Sequence, residues 1–201
     1  MKSVHADRAI RLGEIRIGTL YEYRDIEKHN NLIGDDGEGK IERNRFVPGT
    51  ETWTGDNIPE FARESFKIDP GKSVSWSNLT FVYQEQSENY YLFSASQQMN
   101  CSVMKARGYD ACIVIRNPSK FFGAISRFIR YKAKYLTCNA CIYTDRVSST
   151  EKPQLMHPAF IKPPIYAEQT EVRALWKPHA FPIKPIIIKS FKAVAVCDRV
   201  I

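Results

Sequence analysis

The sequence predicts an α+β fold. Strand-like apolar runs outnumber helices, one stretch near residue 120 has clear helical spacing, and most neighbouring elements are joined by connections that favour antiparallel pairing. With 201 residues, 43% of them hydrophobic and 12% aromatic, the chain can build one sizeable core. The expected organisation is a single domain over 1–201, with a long loop near 25–72 and two or three helices.

The elements follow in order. A capped helix is expected from Ser3 to Leu12, stopped by Gly13. Glu14 to Arg24 reads as a strand, with Ile15, Ile17, Leu20 and the tyrosines marking its apolar face. Residues 25–40 are rich in Asn, Asp and Gly and read as a loop, and 41–72 read as irregular with a short helix at 58–66. Ser73–Gln84 and Tyr90–Ser96 are the strongest strand signals and, joined by a turn at 86–89, predict a hairpin. Asp110–Arg116 is an apolar strand ending at Asn117-Pro118, where Asn caps and Pro opens a helix. Over Pro118–Arg130 the residues Phe121, Phe122, Ile125, Phe128 and Ile129 form one helical face, which is core. Strands are expected at about 132–147, 170–176, 185–189 and 191–200, with a proline-bearing loop at 148–165.

Composition narrows the function. No apolar run approaches the roughly 20 residues of a membrane helix. The opening residues also lack the apolar stretch of a signal peptide, so a soluble, cytoplasmic protein without membrane contact is expected. Five irregularly spaced cysteines, at 101, 112, 138, 141 and 197, are expected to be reduced thiols. Lys and Arg total 29 against 22 acids, a net charge of +7, and such a surface attracts nucleic acid or nucleotides.

Several motifs can be weighed. Cys138-Asn139-Ala140-Cys141 lacks the second ligand pair of a structural zinc site, so no metal site is assigned. Gly34 to Gly39 has neither EF-hand spacing nor the Walker ending. A nucleophile–His–acid triad has no supporting motif. One constellation remains. Gln169 and Glu171 have period-2 spacing and would leave one face of a strand, while Ser94 and Ser96 end another with two hydroxyls. A carboxylate beside a neutral amide, opposed to hydroxyls, arginines and tyrosines, suits a ribose carrying a cationic leaving ring. The plain alternative is a set of polar residues on an exposed strand face.

Ser94-Ala95-Ser96 resembles the Ser-Thr-Ser strand of the ADP-ribosyltransferase superfamily, and Gln169-Thr170-Glu171 resembles its Gln-x-Glu motif, in matching order. The opening Ala9–Arg16 with Gly18-Thr19-Leu20-Tyr21 is similar to the helix and tyrosine-bearing strand near the nicotinamide pocket in several branches, and small prokaryotic nucleic-acid-modifying toxins are the nearest in pattern. The chain departs from the family in its Ser-Ala-Ser and in lacking an evident first-strand Arg or His. The resemblance implies two small sheets forming a cleft for NAD⁺ as substrate. It implies Glu171 as the catalytic carboxylate and Gln169 as the orienter of the nucleophile. Ser94, Ser96, Tyr21 and Tyr23 would line the NAD site, with Arg16, Arg24 or His5 in the first-motif role. The implied acceptor is nucleic acid, RNA ahead of DNA, in a toxin or phage-defence setting with an antitoxin as partner. Two rivals are a non-catalytic nucleic-acid-binding module using the basic and aromatic residues of 120–135, and a metal-dependent nuclease using Asp35, Asp36 and Glu38.

Overall fold

A computed structural model of the chain describes residues 1–24, 35–153 and 156–200. By internal contacts these fall into two compact units: Met1–Ile41 with Gln86–Arg146 and Gln154–Ile201, and a smaller insertion of Glu42–Glu85 with Val147–Pro153.

The first unit is organised by a five-stranded sheet in which every neighbouring pair is antiparallel. Its strands are β1 (Glu14–Thr19), β4 (Tyr91–Ser96), β6 (Ala133–Ala140), β10 (Glu171–Pro178) and β11 (Ile186–Lys189), in the order β11-β1-β4-β10-β6. Helix α3 (Pro118–Ile129) covers one face. Its Asn117 cap accepts a hydrogen bond from the Lys120 N–H, and Phe121, Phe122, Ile125 and Ile129 pack on Tyr91, Ala174 and Trp176. Because side chains alternate along a strand, the odd-numbered residues of β10 and the even-numbered residues of β4 look the other way. There Leu92 and Leu175 join a second cluster with Leu20, Tyr90 and Phe160. Glu171, Arg173, Ser94 and Ser96 share that side by parity, with Arg173 opposite Ser94 and Glu171 opposite Ser96.

Helix α1 (Ser3–Leu12) ends at Gly13 with φ 68°, as its sequence predicts. Ser3 does not cap it. Ser3 is the first helical residue, and its backbone N–H and hydroxyl both donate to Asp110. A short helix not foreseen in the sequence, α2 (Cys101–Ala106), is capped by Asn100. The expected strand at 110–116 shrinks to β5 (Ile113–Ile115), which pairs with β12 (Cys197–Arg199). The strand expected over 191–200 instead begins as a helical turn, α4 (Phe191–Val194), because the Ser190 hydroxyl accepts from the Ala193 N–H. The chain expected to be one strand at 132–147 breaks after Ala140, and two residues of it form β7 (Ile142–Tyr143), paired parallel with β9 (Ile161–Lys162). The expected loop at 148–165 also holds a 3₁₀ turn at Pro158–Phe160.

In the second unit, β2 (Lys40–Thr54) joins β3 (Ser73–Gln86) and the short parallel β8 (Val147–Ser149). Residues 40–54 are therefore strand, not loop, and the helix expected at 58–66 is a single 3₁₀ turn at Glu60–Ala62. The predicted hairpin of 73–84 with 90–96 does not form. The two edges of β4 are taken by β1 and β10, while β3 pairs with β2. Trp53, Phe61, Phe66, Trp76 and Phe81 make an aromatic core, with Phe66 and Trp76 rings 4.5 Å apart and Phe61 edge-on to Phe81 at 5.2 Å.

Candidate functional site

The site grows from the end of β10 on the face away from α3. Gln169 closes a 3₁₀ segment, Pro164–Gln169, and Thr170 takes a left-handed conformation with φ 41°. Gln169 is thus not on the strand, and the period-2 argument is not what brings it near Glu171. The Ser96 hydroxyl fixes this turn through the Gln169 carbonyl and the Thr170 hydroxyl, each at 2.8 Å. The Tyr143 hydroxyl accepts the Glu171 N–H at 2.6 Å.

Glu171 is 6% exposed and does not face bulk water. Its Oε1 accepts from the Ser94 hydroxyl at 2.5 Å and from Arg173 Nε at 2.7 Å, and its Oε2 accepts from Lys162 Nζ at 2.7 Å. Arg173 Nη2 reaches the same Oε2 only at 3.4 Å, at the margin of a hydrogen bond. Lys162 also donates to Gln169 Oε1 at 2.8 Å and lies 4.8 Å from the centre of the Tyr166 ring. Arg173 grips Glu38 with both terminal nitrogens, at 2.5 and 2.8 Å, and donates to the Ala159 carbonyl. Glu38, Lys162 and Arg173 are each at most 3% exposed.

Two acids and two bases thus cancel inside the protein, which is what allows four charges to be buried. Burial alone would push the Glu171 carboxyl up. Arg173 and Lys162 beside it outweigh that and hold its pKa down to about 2. Glu171 is therefore an anion at every physiological pH. Burial, reinforced by the Glu171 charge, pushes the Tyr23 hydroxyl up to about 12. Burial likewise lifts the Cys141 thiol to about 12.

The remaining residues expected from the sequence divide. Ser94 is itself exposed, so its hydroxyl links the buried carboxylate to the surface. Tyr21, Tyr23 and Arg24 lie on a 3₁₀ turn, Leu20–Arg24, rather than on the predicted strand. The chain leaves β1 at Thr19, whose hydroxyl accepts the Glu22 N–H. The ring of Tyr23 covers Gly18, where a Cβ would sit 3.2 Å from it. Arg16, exposed on β1, pairs with Glu22 and lies close enough to influence Tyr23. Tyr21 is turned away: its hydroxyl donates to the Ser87 carbonyl and accepts from Gln86. Arg24 stacks on Tyr21 at 3.7 Å and donates to the Glu38 carbonyl. His5 is exposed on α1 and no contact joins it to the cluster. Two nitrogens here, Gln169 Nε2 and Arg24 Nη2, are buried without a hydrogen-bond partner among the described residues.

Lys162, Arg173 and Tyr143 are members that motif reading missed, and Glu38 enters it only as an acid of the nuclease alternative. Only Arg173 carried a usable signal, since period 2 places it on the same strand face as Glu171. Of the acids proposed for a metal-dependent nuclease, Glu38 is spent on Arg173, Asp35 is held by both terminal nitrogens of Arg146, and Asp36 is exposed. Among the described residues no helix is long and apolar enough to cross a membrane. No family model, curated protein or solved structure matches the chain.

Proposed function

We propose that the chain is an NAD-dependent mono-ADP-ribosyltransferase acting on nucleic acid, RNA ahead of DNA. A toxin or phage-defence effector, held in check by an antitoxin, is the setting that suits it. One observation carries the reading: a carboxylate ionised at physiological pH accepts from the hydroxyl of the exposed Ser94 and lies beside an amide whose buried Nε2 lacks a partner among the described residues.

In this reading the bond between the ribose C1′ and the nicotinamide nitrogen breaks, and its electron pair leaves with nicotinamide. The acceptor then forms a bond to C1′ and loses its proton to solvent. A group with a pKa of about 2 is a poor base, so Glu171 acts by stabilising the positive charge that develops on the sugar. Its spare acceptor capacity is on Oε2, where the 3.4 Å contact from Arg173 can yield to a sugar hydroxyl. Gln169 Nε2 would orient the acceptor, and Arg24 Nη2 would take a pyrophosphate oxygen. A second reading, a basic nucleic-acid-binding module without catalysis, is favoured by the near-complete occupation of the same carboxylate.

The test is incubation with radiolabelled NAD⁺ and RNA, DNA or protein in separate reactions. Transfer to nucleic acid is expected, and it should be lost in Glu171→Gln and fall at least tenfold in Gln169→Ala, which leaves the buried charges balanced. Circular dichroism guards against loss of fold, since removing Glu171 leaves a net buried positive charge. If NAD⁺ is not consumed and no acceptor is labelled, the reading fails.

A further inference from the structure

On the opposite side of the five-stranded sheet from Glu171, α3 and α4 border a concavity of about 470 Å³. Lys120, Ala124, Arg127 and Phe128 line it from α3, at positions i, i+4, i+7 and i+8 of one helix. Ser190 and Lys192 line it from the start of α4. Phe121, Phe122, Ile125 and Ile129 are spent on the sheet, whereas Phe128, expected in the same core stripe, is exposed and belongs to this second, outward face.

The groove combines two features, uncompensated positive charge and exposed aromatic rings. Lys120, Arg127 and Lys192 are exposed and make no ion pair with any carboxylate among the described residues. Some exposed cations of the same unit are paired, Arg8 with Glu14, Arg116 with Asp198, Lys177 with Glu88 and Arg199 with Asp7, whereas these three keep their full charge for a ligand. Phe128 on the groove wall is 53% exposed, and Phe191, which in the chain lies between the lining residues Ser190 and Lys192, is 64% exposed at its edge. An exposed ring next to uncompensated charge is useful to a ligand that carries both phosphates and flat faces.

We propose that this groove binds the backbone of a single-stranded nucleic acid, with Lys120, Arg127 and Lys192 on phosphates and Phe128 and Phe191 stacking on bases. A duplex hides its base faces, so exposed rings beside cations favour a single strand over a duplex, and binding to anionic vesicles is the competing outcome of the test. Because α3 covers the sheet face opposite Glu171, the groove is an anchoring surface and contributes no catalytic residue. The inference rests on the proposed function only for the acceptor class, and its test needs no NAD⁺.

Fluorescence anisotropy with a labelled 20-nucleotide RNA, and with its DNA equivalent, measures the binding directly. Three phosphate contacts predict a salt slope near −2, so raising the salt from about 50 to 200 mM should weaken binding roughly 20-fold. The triple variant Lys120→Gln/Arg127→Gln/Lys192→Gln should lose most of that slope. Phe128→Ala and Phe191→Ala should each weaken binding about fivefold or more with the salt slope unchanged. All five side chains are exposed, and unchanged melting temperatures will verify that the variants fold. Unchanged RNA affinity in the triple variant overturns the proposal. So does a groove-dependent gain in binding to phosphatidylserine vesicles over RNA. Loss of RNA binding in the triple variant, in a protein that never consumes NAD⁺, would retain the groove and remove the enzyme. ADP-ribosyl transfer unaffected by the triple variant, with RNA binding also unaffected, would do the reverse.

Discussion

Lys162→Met and Glu171→Gln, made singly and together, probe the charge balance of the cluster. Glu38, Glu171, Lys162 and Arg173 carry two negative and two positive charges, and none is more than 6% exposed. Either single substitution leaves one buried charge without compensation, at a cost of about 3–5 kcal/mol. Independent effects would sum to about 6–10 kcal/mol in the double variant. Removing both partners instead leaves Glu38 and Arg173 as a balanced pair joined by two hydrogen bonds. The double variant should therefore be more stable than that sum by about 2–3 kcal/mol, the upper end for residues in direct contact. Hydrogen exchange of the β10 amides reads the effect in this unit alone, free of the aromatic core of residues 42–85. Single costs that add to within about 0.5 kcal/mol, or a Lys162→Met cost below about 1 kcal/mol, would refute the coupling.

The cluster also predicts a pH dependence. The folded pKa of Glu171 lies below its ordinary value of 4.5, at about 2. Its stabilisation is therefore complete above about pH 4.5 and is lost as pH falls from there through 2, amounting to roughly 3 kcal/mol. Unfolding free energy measured against pH should show this loss in the natural protein and not in Glu171→Gln. Gly39→Ala should destabilise by about 1–3 kcal/mol, since φ is +70° and the added Cβ would lie 2.7 Å from Leu20 Cδ2; an unchanged melting temperature would contradict this. Iodoacetamide at pH 8 should modify the exposed Cys101 well before the buried Cys141, whose thiol stays protonated up to about pH 12, and mass spectrometry of early time points checks the order.

Elements whose residues carry their own local physics were legible in advance. The Asn-Pro start and apolar stripe of α3 define that helix without outside help, and Gly13 ends α1 because only glycine adopts its backbone angle cheaply. Local sequence is silent where a distant partner decides. Residues 40–54 lack an apolar rhythm because most of their side chains are not buried, so the strand is recognisable only through its pairing with β3 and β8. The expected hairpin failed for a related reason: strand propensity says that 73–86 and 91–96 are extended, but not which neighbours they choose.

The candidate site divides in the same way. Alternation is a property of the single strand, so the two serines of β4 were legible as sharing one side; the same rule, applied to 169 and 171, picks the wrong partner, since the strand starts at Glu171 and its same-side neighbour is Arg173. That these two strands are neighbours, that Lys162 arrives from the two-residue strand β9, and that Glu38 arrives from 135 residues away to complete a neutral cluster follows only from the tertiary packing. Charge balance inside a protein is a sum over elements remote in sequence, and no local pattern encodes such a sum.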